Sequence, residues 1–176
     1  MRPLSSRLAR FIADRRGGVA TMEFAVCFPV LFVIIFALFE IGWLTTRSVM
    51  LERGLDMTAR EIRVGTLSGA DHVELKQAVC RNAPAIANCE RDLVIELVAF
   101  NPAAAYPSNQ PNCVDRTGKV DPVVTLLPGQ RSEIMFVRAC LTVDALLPGI
   151  GIGLNMPLDS TGGYQIAHYS AFMNEP

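Results

Sequence analysis

The sequence predicts an α+β protein in which one long N-terminal transmembrane and stalk helix is followed by a small ectodomain with a short helix and an antiparallel sheet. Three observations predict this class. An unbroken apolar segment lies near the N-terminus, an amphipathic pattern follows it directly, and three stretches rich in β-branched and aromatic residues lie further on. A chain of 176 residues has room for one compact domain and an anchor.

The apolar segment predicts a membrane-spanning helix. Between Val19 and Leu44 only Thr21, Glu23 and Glu40 interrupt a run of apolar residues. At about 1.5 Å per residue, a helix of this length spans a hydrocarbon core of about 30 Å. A core helix of a soluble protein rarely stays apolar on every side for so long.

The flanks of this segment predict its orientation and its retention. The first 18 residues contain five arginines and one acid, which favours a cytoplasmic N-terminus. No pattern of small residues follows the segment, so ordinary signal cleavage is not expected. The predicted parts are a basic cytoplasmic leader (1–18), a transmembrane helix (19–44), an amphipathic stalk helix (45–65) and a periplasmic domain (66–176).

The helix predictions outside the membrane rest on periodicity and capping. An apolar stripe predicts that the stalk continues the anchor as a helix, with Gly65 as its stop; the stripe contains Leu51, Leu55, Thr58 and Ile62. A second helix is predicted from His72 to Asn82. Asp71 is its expected N-cap, and Glu74 completes a capping box.

Three strands are predicted for the rest of the domain, and they form a small antiparallel sheet. They cover residues 92–100, 133–144 and 165–173. A loop rich in Pro, Asn and Gly, with a short extended piece at 123–127, occupies residues 101–130. The glycine-rich run 148–153 has no lysine and no helix signature, so we interpret it as a structural loop and not as a phosphate site.

The cysteines predict disulfide bonds in an oxidising compartment. Cys27 falls in the membrane segment, which leaves Cys80, Cys89, Cys113 and Cys140 in the exported part. Four cysteines allow three connectivities, of which we favour Cys80 with Cys89 and Cys113 with Cys140. Unpaired thiols and a zinc site are the alternatives. The spacing lacks a C-x-x-C pair, so no metal is predicted.

Charge and side-chain chemistry argue against two function classes. From residue 65 to residue 176 there are seven basic and eleven acidic residues, a net charge of 7 − 11 = −4. A domain with this charge is a poor ligand for nucleic acid. No nucleophile and base occur at a catalytic spacing, so the sequence predicts neither an enzyme nor a cofactor.

The junction of leader and helix carries the most specific motif. Arg15, Arg16, Gly17 and Gly18 precede the apolar segment, and Glu23 is the fifth residue after Gly18. This pattern resembles the processing site of type IV prepilins. The resemblance implies that the prepilin peptidase cuts between Gly18 and Val19.

After such a cut, Glu23 lies close to the new N-terminus of the chain. Val19 and Glu23 are four residues apart and share a helix face, so the carboxylate can meet the new terminal amine of its own chain or of a neighbour. Such a pair would fix the register between subunits.

A wider stretch resembles one pilin-like family. The residues at 22–26, Pro29, the run 39–42 and the stalk from Arg47 to Arg63 resemble the TadE-like minor pseudopilins of the tight-adherence (Flp) pilus system. The chain end at 172–176 is similar too. TadF-like relatives share this plan, and both assignments remain open. The resemblance implies assembly of a pilus at the bacterial inner membrane, with other pilus subunits, inner-membrane assembly proteins and the lipid bilayer as partners.

Two interpretations remain open for Glu40. Glu40 lies about 25 Å along the helix from Glu23, at the opposite interface. It either snorkels near Trp43, with Arg47 two turns on, or joins Arg47 in contacting a partner.

Two alternative functions also remain open. One is an uncleaved signal-anchored envelope protein of structural or binding role, and the other is an anchored enzyme whose site is assembled only in space.

Overall fold

The computed structural model describes residues 17–67, 69, 71–100, 113–114, 116, 132–146 and 158–174. Residues 1–16 of the basic leader, most of the 101–130 loop, the glycine-rich run 148–153 and the last two residues lie outside this part of the chain. The chain divides into two compact units, of which one ends at Phe39 and the other begins at Glu40.

Helix α1 extends from Gly17 to Arg63. It is long and apolar enough to cross a membrane, which agrees with the predicted anchor and stalk. The helix ends in a Schellman motif: Gly65 has a φ of +85°, its N–H bonds to Ile62, and the Thr66 N–H bonds to Glu61. A glycine is suited to this left-handed position because it has no Cβ.

Two further helices precede the sheet. Helix α2 extends from His72 to Asn82, the predicted range, and the Asp71 carboxylate caps it by accepting a hydrogen bond of 2.8 Å from the Glu74 N–H. Helix α3, Cys89–Asp92, is a single turn that the sequence analysis does not predict.

The sheet has three antiparallel strands in the order β1-β2-β3. Their bounds are Leu93–Ala99 for β1, Ile134–Val143 for β2 and Tyr164–Met173 for β3. The register pairs Leu97 with Val137, and Leu141 with Ile166. The predicted class, a long helix followed by a small domain with a short helix and an antiparallel sheet, is confirmed.

The core lies between one face of the sheet and the two longer helices. Residues from every second position of the strands share one buried cluster with the stalk part of α1 and with α2. Its members include Leu51, Leu55, Leu75, Val79, Ile95, Val137, Leu141 and Ile166. The amphipathic stripe therefore lies where its periodicity predicts, with Leu51, Leu55 and Thr58 buried and Ile62 partly buried.

Candidate functional site

The N-terminal junction forms the start of helix α1. Because the helix begins at Gly17, the Gly18–Val19 peptide bond lies in helical backbone, whereas the sequence places Gly18 just before the helix. A Cβ built on Gly18 meets no atom within 4 Å. Glu23 is exposed one turn further on, and no described residue pairs with its carboxylate.

The apolar unit presents its side chains outward. Nearly all described residues from Ala20 to Phe39 are exposed, including the large apolar ones. Phe24, Phe28, Phe32 and Phe36 form a ladder with ring centroids 4.9, 4.5 and 5.4 Å apart. Cys27 is a free cysteine on this exposed surface. An exposed apolar helix of this kind is stable only where lipid or another helix covers it.

Glu40 is buried against its own chain. Its side chain is 3 % exposed and accepts a hydrogen bond of 3.2 Å from the hydroxyl of Tyr164, the first residue of β3, which is 1 % exposed. Burial raises the pKa of Tyr164, and the nearby Glu40 carboxylate raises it further. The sequence signal for this contact is a carboxylate at the end of an apolar segment, which needs a partner when it is buried.

Arg47 lies beside Trp43, which is one turn earlier in helix α1. Its guanidinium carbon is 4.8 Å from the centroid of the Trp43 ring. The Arg47 Nε is buried without a hydrogen-bond partner in the described part of the chain. Burial lowers the pKa of Arg47, an effect that the carboxylate of Asp144 partly offsets. The hydroxyl of the next residue, Ser48, lies 2.8 Å from the His168 Nε2.

The cysteines of the domain form two disulfide bonds. Cys80 is bonded to Cys89 and Cys113 to Cys140, which are the pairs that the sequence analysis favours. The first bond joins the last turn of α2 to α3, and the second joins the segment at 113–116 to the centre of β2. Within the described ranges, no three His, Cys, Asp or Glu side chains are grouped as a metal site requires.

A cluster around Arg116 connects three segments. Arg116 donates a 3.0 Å hydrogen bond from Nε to Asp159 and pairs through Nη1 with Asp144, just after β2. The Asp159 carboxylate also accepts the backbone N–H groups of Thr161 and Gly163. Burial raises the pKa of Asp159, but these hydrogen bonds outweigh it and hold that pKa at about 2.

A second buried pair lies on the sheet face away from the helices. Glu96 of β1 and Arg138 of β2 are directly opposite each other in the register, and both are buried and joined as an ion pair. The sequence analysis predicts neither this pair nor the Arg116 cluster, because opposite charges on two strands indicate a contact only once the register is known.

Comparison with known proteins gives one match. Residues 18–60 match the sequence profile of the TadE-like protein family, a range of 43 of the 176 residues. No curated protein and no solved structure matches the chain significantly.

Proposed function

Because helix α1 of this chain is TadE-like, we propose that the chain is a pseudopilin-like membrane protein that acts in the assembly of a tight-adherence (Flp) pilus. The observation that carries the proposal is that residues 18–60 fall entirely within α1, and that the first half of this helix is an exposed apolar surface. The family is structural in character, so the proposed role is to bind other subunits and not to catalyse a reaction.

The proposed topology follows from the exposed apolar surface and the arginines. The leader, residues 1–18, lies in the cytoplasm, residues 19–44 cross the inner membrane, and the stalk from 45 to 65 carries a periplasmic domain. The proposed partners are the prepilin peptidase, other pilus subunits and inner-membrane assembly proteins. In this topology both disulfide bonds lie in an oxidising compartment.

We further propose that the prepilin peptidase cuts the Gly18–Val19 bond. The bond lies near the N-terminal end of α1, within the range Gly17–Arg63. Glycine disfavours the helical conformation by about 1 kcal/mol relative to alanine. Two adjacent glycines therefore ease the local unwinding that a protease needs to reach the backbone.

Sequencing the N-terminus of the mature protein tests this processing. We expect the mature chain to begin at Val19, and Gly18→Ala to slow or block processing. The space around Gly18 is open, so the change should act on the peptidase and not on the fold of the substrate. Gly42→Ala is a matched control because Gly42 lies in the same helix with equally open space.

The contrary result is an intact leader in cells with an active prepilin peptidase. An uncut chain that still floats with membranes would favour the alternative function, a signal-anchored envelope protein.

Glu23 is the proposed register element. An exposed carboxylate in an apolar helix is costly in lipid, by about 2.5 to 3.5 kcal/mol at mid-bilayer. Pairing with the amine of a neighbouring Val19 would remove most of that cost. We expect Glu23→Val to leave membrane insertion intact and to reduce pilus assembly, measured as pili per cell in a complemented deletion strain. Phe24→Val is the control, and wild-type pilus counts for Glu23→Val would exclude the register role.

A further inference from the structure

Strand β3 is an edge of the sheet, because the strand order is β1-β2-β3 and β2 lies in the centre. In an antiparallel ladder, the backbone N–H and C=O groups of alternate residues point towards the neighbouring strand, and those of the other residues point away from it. The Asn174 N–H bonds to the Glu133 carbonyl, so Asn174 points towards β2. The register continues unbroken from this pair back along β3, so the backbone groups of Tyr169, Ala171 and Met173 point away from β2.

The second half of this edge is open. Among the residues that the structure describes, none bonds to the outward backbone groups of Tyr169, Ala171 or Met173. Tyr169 is 48 % exposed, Met173 is 58 % exposed, and Ala171 between them is exposed too. A regular row of unpaired backbone donors and acceptors is the pattern that another extended strand complements.

The edge lacks the features that usually prevent the addition of a strand. Natural proteins protect exposed edges with charged side chains, with proline or with a bulge. Strand β3 contains no Asp, Glu, Lys, Arg or Pro, and all ten of its residues pair with β2 without a bulge. The other edge strand differs, because the first five residues of β1 are buried. The second half of β3 is therefore the edge that suits a further strand.

Contacts on both faces of the sheet hold β3 in an extended conformation. On one face, the Tyr169 ring stacks on the ring of Phe136 of β2, with the ring centroids 5.8 Å apart. On the face that carries the core, the His168 Nε2 lies 2.8 Å from the hydroxyl of Ser48 in the stalk part of α1. A binding edge that is already ordered reduces the entropy lost on association.

We propose that the second half of β3 binds an extended segment of a different pilus subunit, which adds to the three-stranded sheet as a fourth strand. The backbone groups of Tyr169, Ala171 and Met173 supply the hydrogen bonds. Their side chains lie on one face, where they contact every second side chain of the added strand and so contribute specificity.

A second copy of this chain is a less suitable occupant. Two β3 strands pair antiparallel around a two-fold axis, which reverses the direction of one stalk helix relative to the other. Stalks that run in opposite directions do not lead into the same bilayer, and in this respect the inference rests on the proposed function. The net charge of 7 − 11 = −4 from residue 65 to residue 176 also opposes the close approach of two copies.

Hydrogen exchange measured by NMR tests whether the edge accepts a strand. The probe is a synthetic peptide with the sequence of residues 164–174, which is an uncharged strand without an anchor, added to the full-length chain in detergent micelles. We expect fast exchange of the Tyr169 and Ala171 amides in the free chain and loss of this fast exchange with the peptide. The Ser170 and Phe172 amides point towards β2 and should exchange slowly in both samples.

Ala171→Pro should abolish the effect of the peptide, because it removes an outward N–H and leaves the groups that face β2 in place. Ala171→Val is the matched control, since valine keeps the N–H. Protection of all four disulfide cysteines from alkylation reports that each variant is folded.

Two measurements in cells test the choice of partner. Ala171→Pro should reduce the number of pili per cell in a complemented deletion strain, and Ala171→Val should not. Ser170→Cys with Cys27→Ser should give no disulfide-linked band at twice the mass of the chain. If two β3 strands paired around position 170, the Cα atoms of that residue in the two copies would be about 4.5 Å apart, close enough for a disulfide bond.

The contrary results differ from one another. Unchanged exchange of the outward amides with the peptide would exclude strand addition. So would normal pilus counts for Ala171→Pro in a strain where Glu23→Val lowers them, and both results would leave the proposed function standing. A band at twice the mass would make a second copy the occupant and overturn the choice of a different subunit. Normal pili in the deletion strain itself would contradict the proposed function, and with it the choice of a pilus subunit.

Discussion

The Arg116 side chain connects three segments of the domain. It joins the segment beside the Cys113–Cys140 bond to the end of β2 and to the turn before β3. The Asp159 side chain is only 3 % exposed, and its hydrogen bonds keep it ionised. A buried carboxylate with several donors stabilises the folded state only while it is charged.

The pH dependence of the unfolding free energy should therefore reflect the titration of Asp159. Its folded pKa is about 2, below the ordinary value of 3.8, so its contribution is complete above pH 4 and is lost as the pH falls towards 2. The shift corresponds to about 2 kcal/mol. We expect Asp159→Asn to lower the unfolding free energy by about this amount at pH 6, with the difference from wild type shrinking by pH 2. Urea unfolding at several pH values measures it.

Asp144→Asn is the comparison for this experiment. Asp144 pairs with the same guanidinium but is exposed to solvent, where ion pairs contribute little. An equal loss for both variants at every pH would contradict the role given to the Asp159 charge.

At the scale of single residues, the sequence predicts contacts between residues that are close together in the chain. Asp71 caps α2 through a bond to a residue three positions away, and its sequence context is sufficient to predict it. Glu40 and Tyr164 are 124 positions apart, and the sequence alone indicates only that Glu40 needs a partner. The pairing of Arg116 with Asp159 was hidden for the same reason.

At the scale of elements, the close contact of α1 and α2 depends on one glycine. A Cβ built on Gly54 would lie 2.7 Å from the carbonyl oxygen of Val79 and 3.2 Å from the Cβ of Ala83. The first of these atoms belongs to the backbone and cannot move without shifting α2. Gly54 is therefore a position where two helices approach closely.

We expect Gly54→Ala to destabilise the domain, although alanine is the better helix former. Forcing atoms into a packed contact costs about 1–3 kcal/mol, which exceeds the gain of about 1 kcal/mol in helix propensity. Gly42→Ala, in the same helix with open space around it, should show no loss. Thermal unfolding followed by circular dichroism in detergent compares the two. A Gly54→Ala protein as stable as wild type would mean that the helices separate at little cost.

The elements themselves were largely visible in the sequence. Periodicity, capping residues and β-branched stretches placed α1, α2 and all three strands, because each signal is local. The single turn α3 was not predicted, since four residues carry no period. The start of α1 also differed, because the apolar helix extends through both glycines despite their low helix propensity.

For the whole molecule, the two disulfide bonds close loops of different length. The Cys80–Cys89 bond spans nine positions and the Cys113–Cys140 bond spans 27. In the chain-entropy account, the bond that closes the longer loop restricts the unfolded chain more, by about 1 kcal/mol for this pair of lengths.

Removing each disulfide bond in turn should show which of the two contributes more to the unfolding free energy. We expect Cys113→Ser with Cys140→Ser to lower the unfolding free energy more than Cys80→Ser with Cys89→Ser, and to give less protein in the cell envelope. Urea unfolding and immunoblotting measure the two effects. The double replacements avoid leaving a single reactive thiol, and Cys27→Ser is the control. The reverse order would mean that local packing around α3, and not loop length, sets the contribution of each bond.

The hydrogen bond from Tyr164 to Glu40 has a consequence for the order of events during synthesis. The ribosome must add 124 residues after Glu40 before Tyr164 exists, which takes roughly 6–25 s at bacterial and eukaryotic elongation rates. In the proposed topology, the carboxylate is at the edge of the bilayer during that interval and lacks this donor. β3 can then join the sheet only after residues 164–173 have been exported, so the sheet acquires this strand late and in the periplasm.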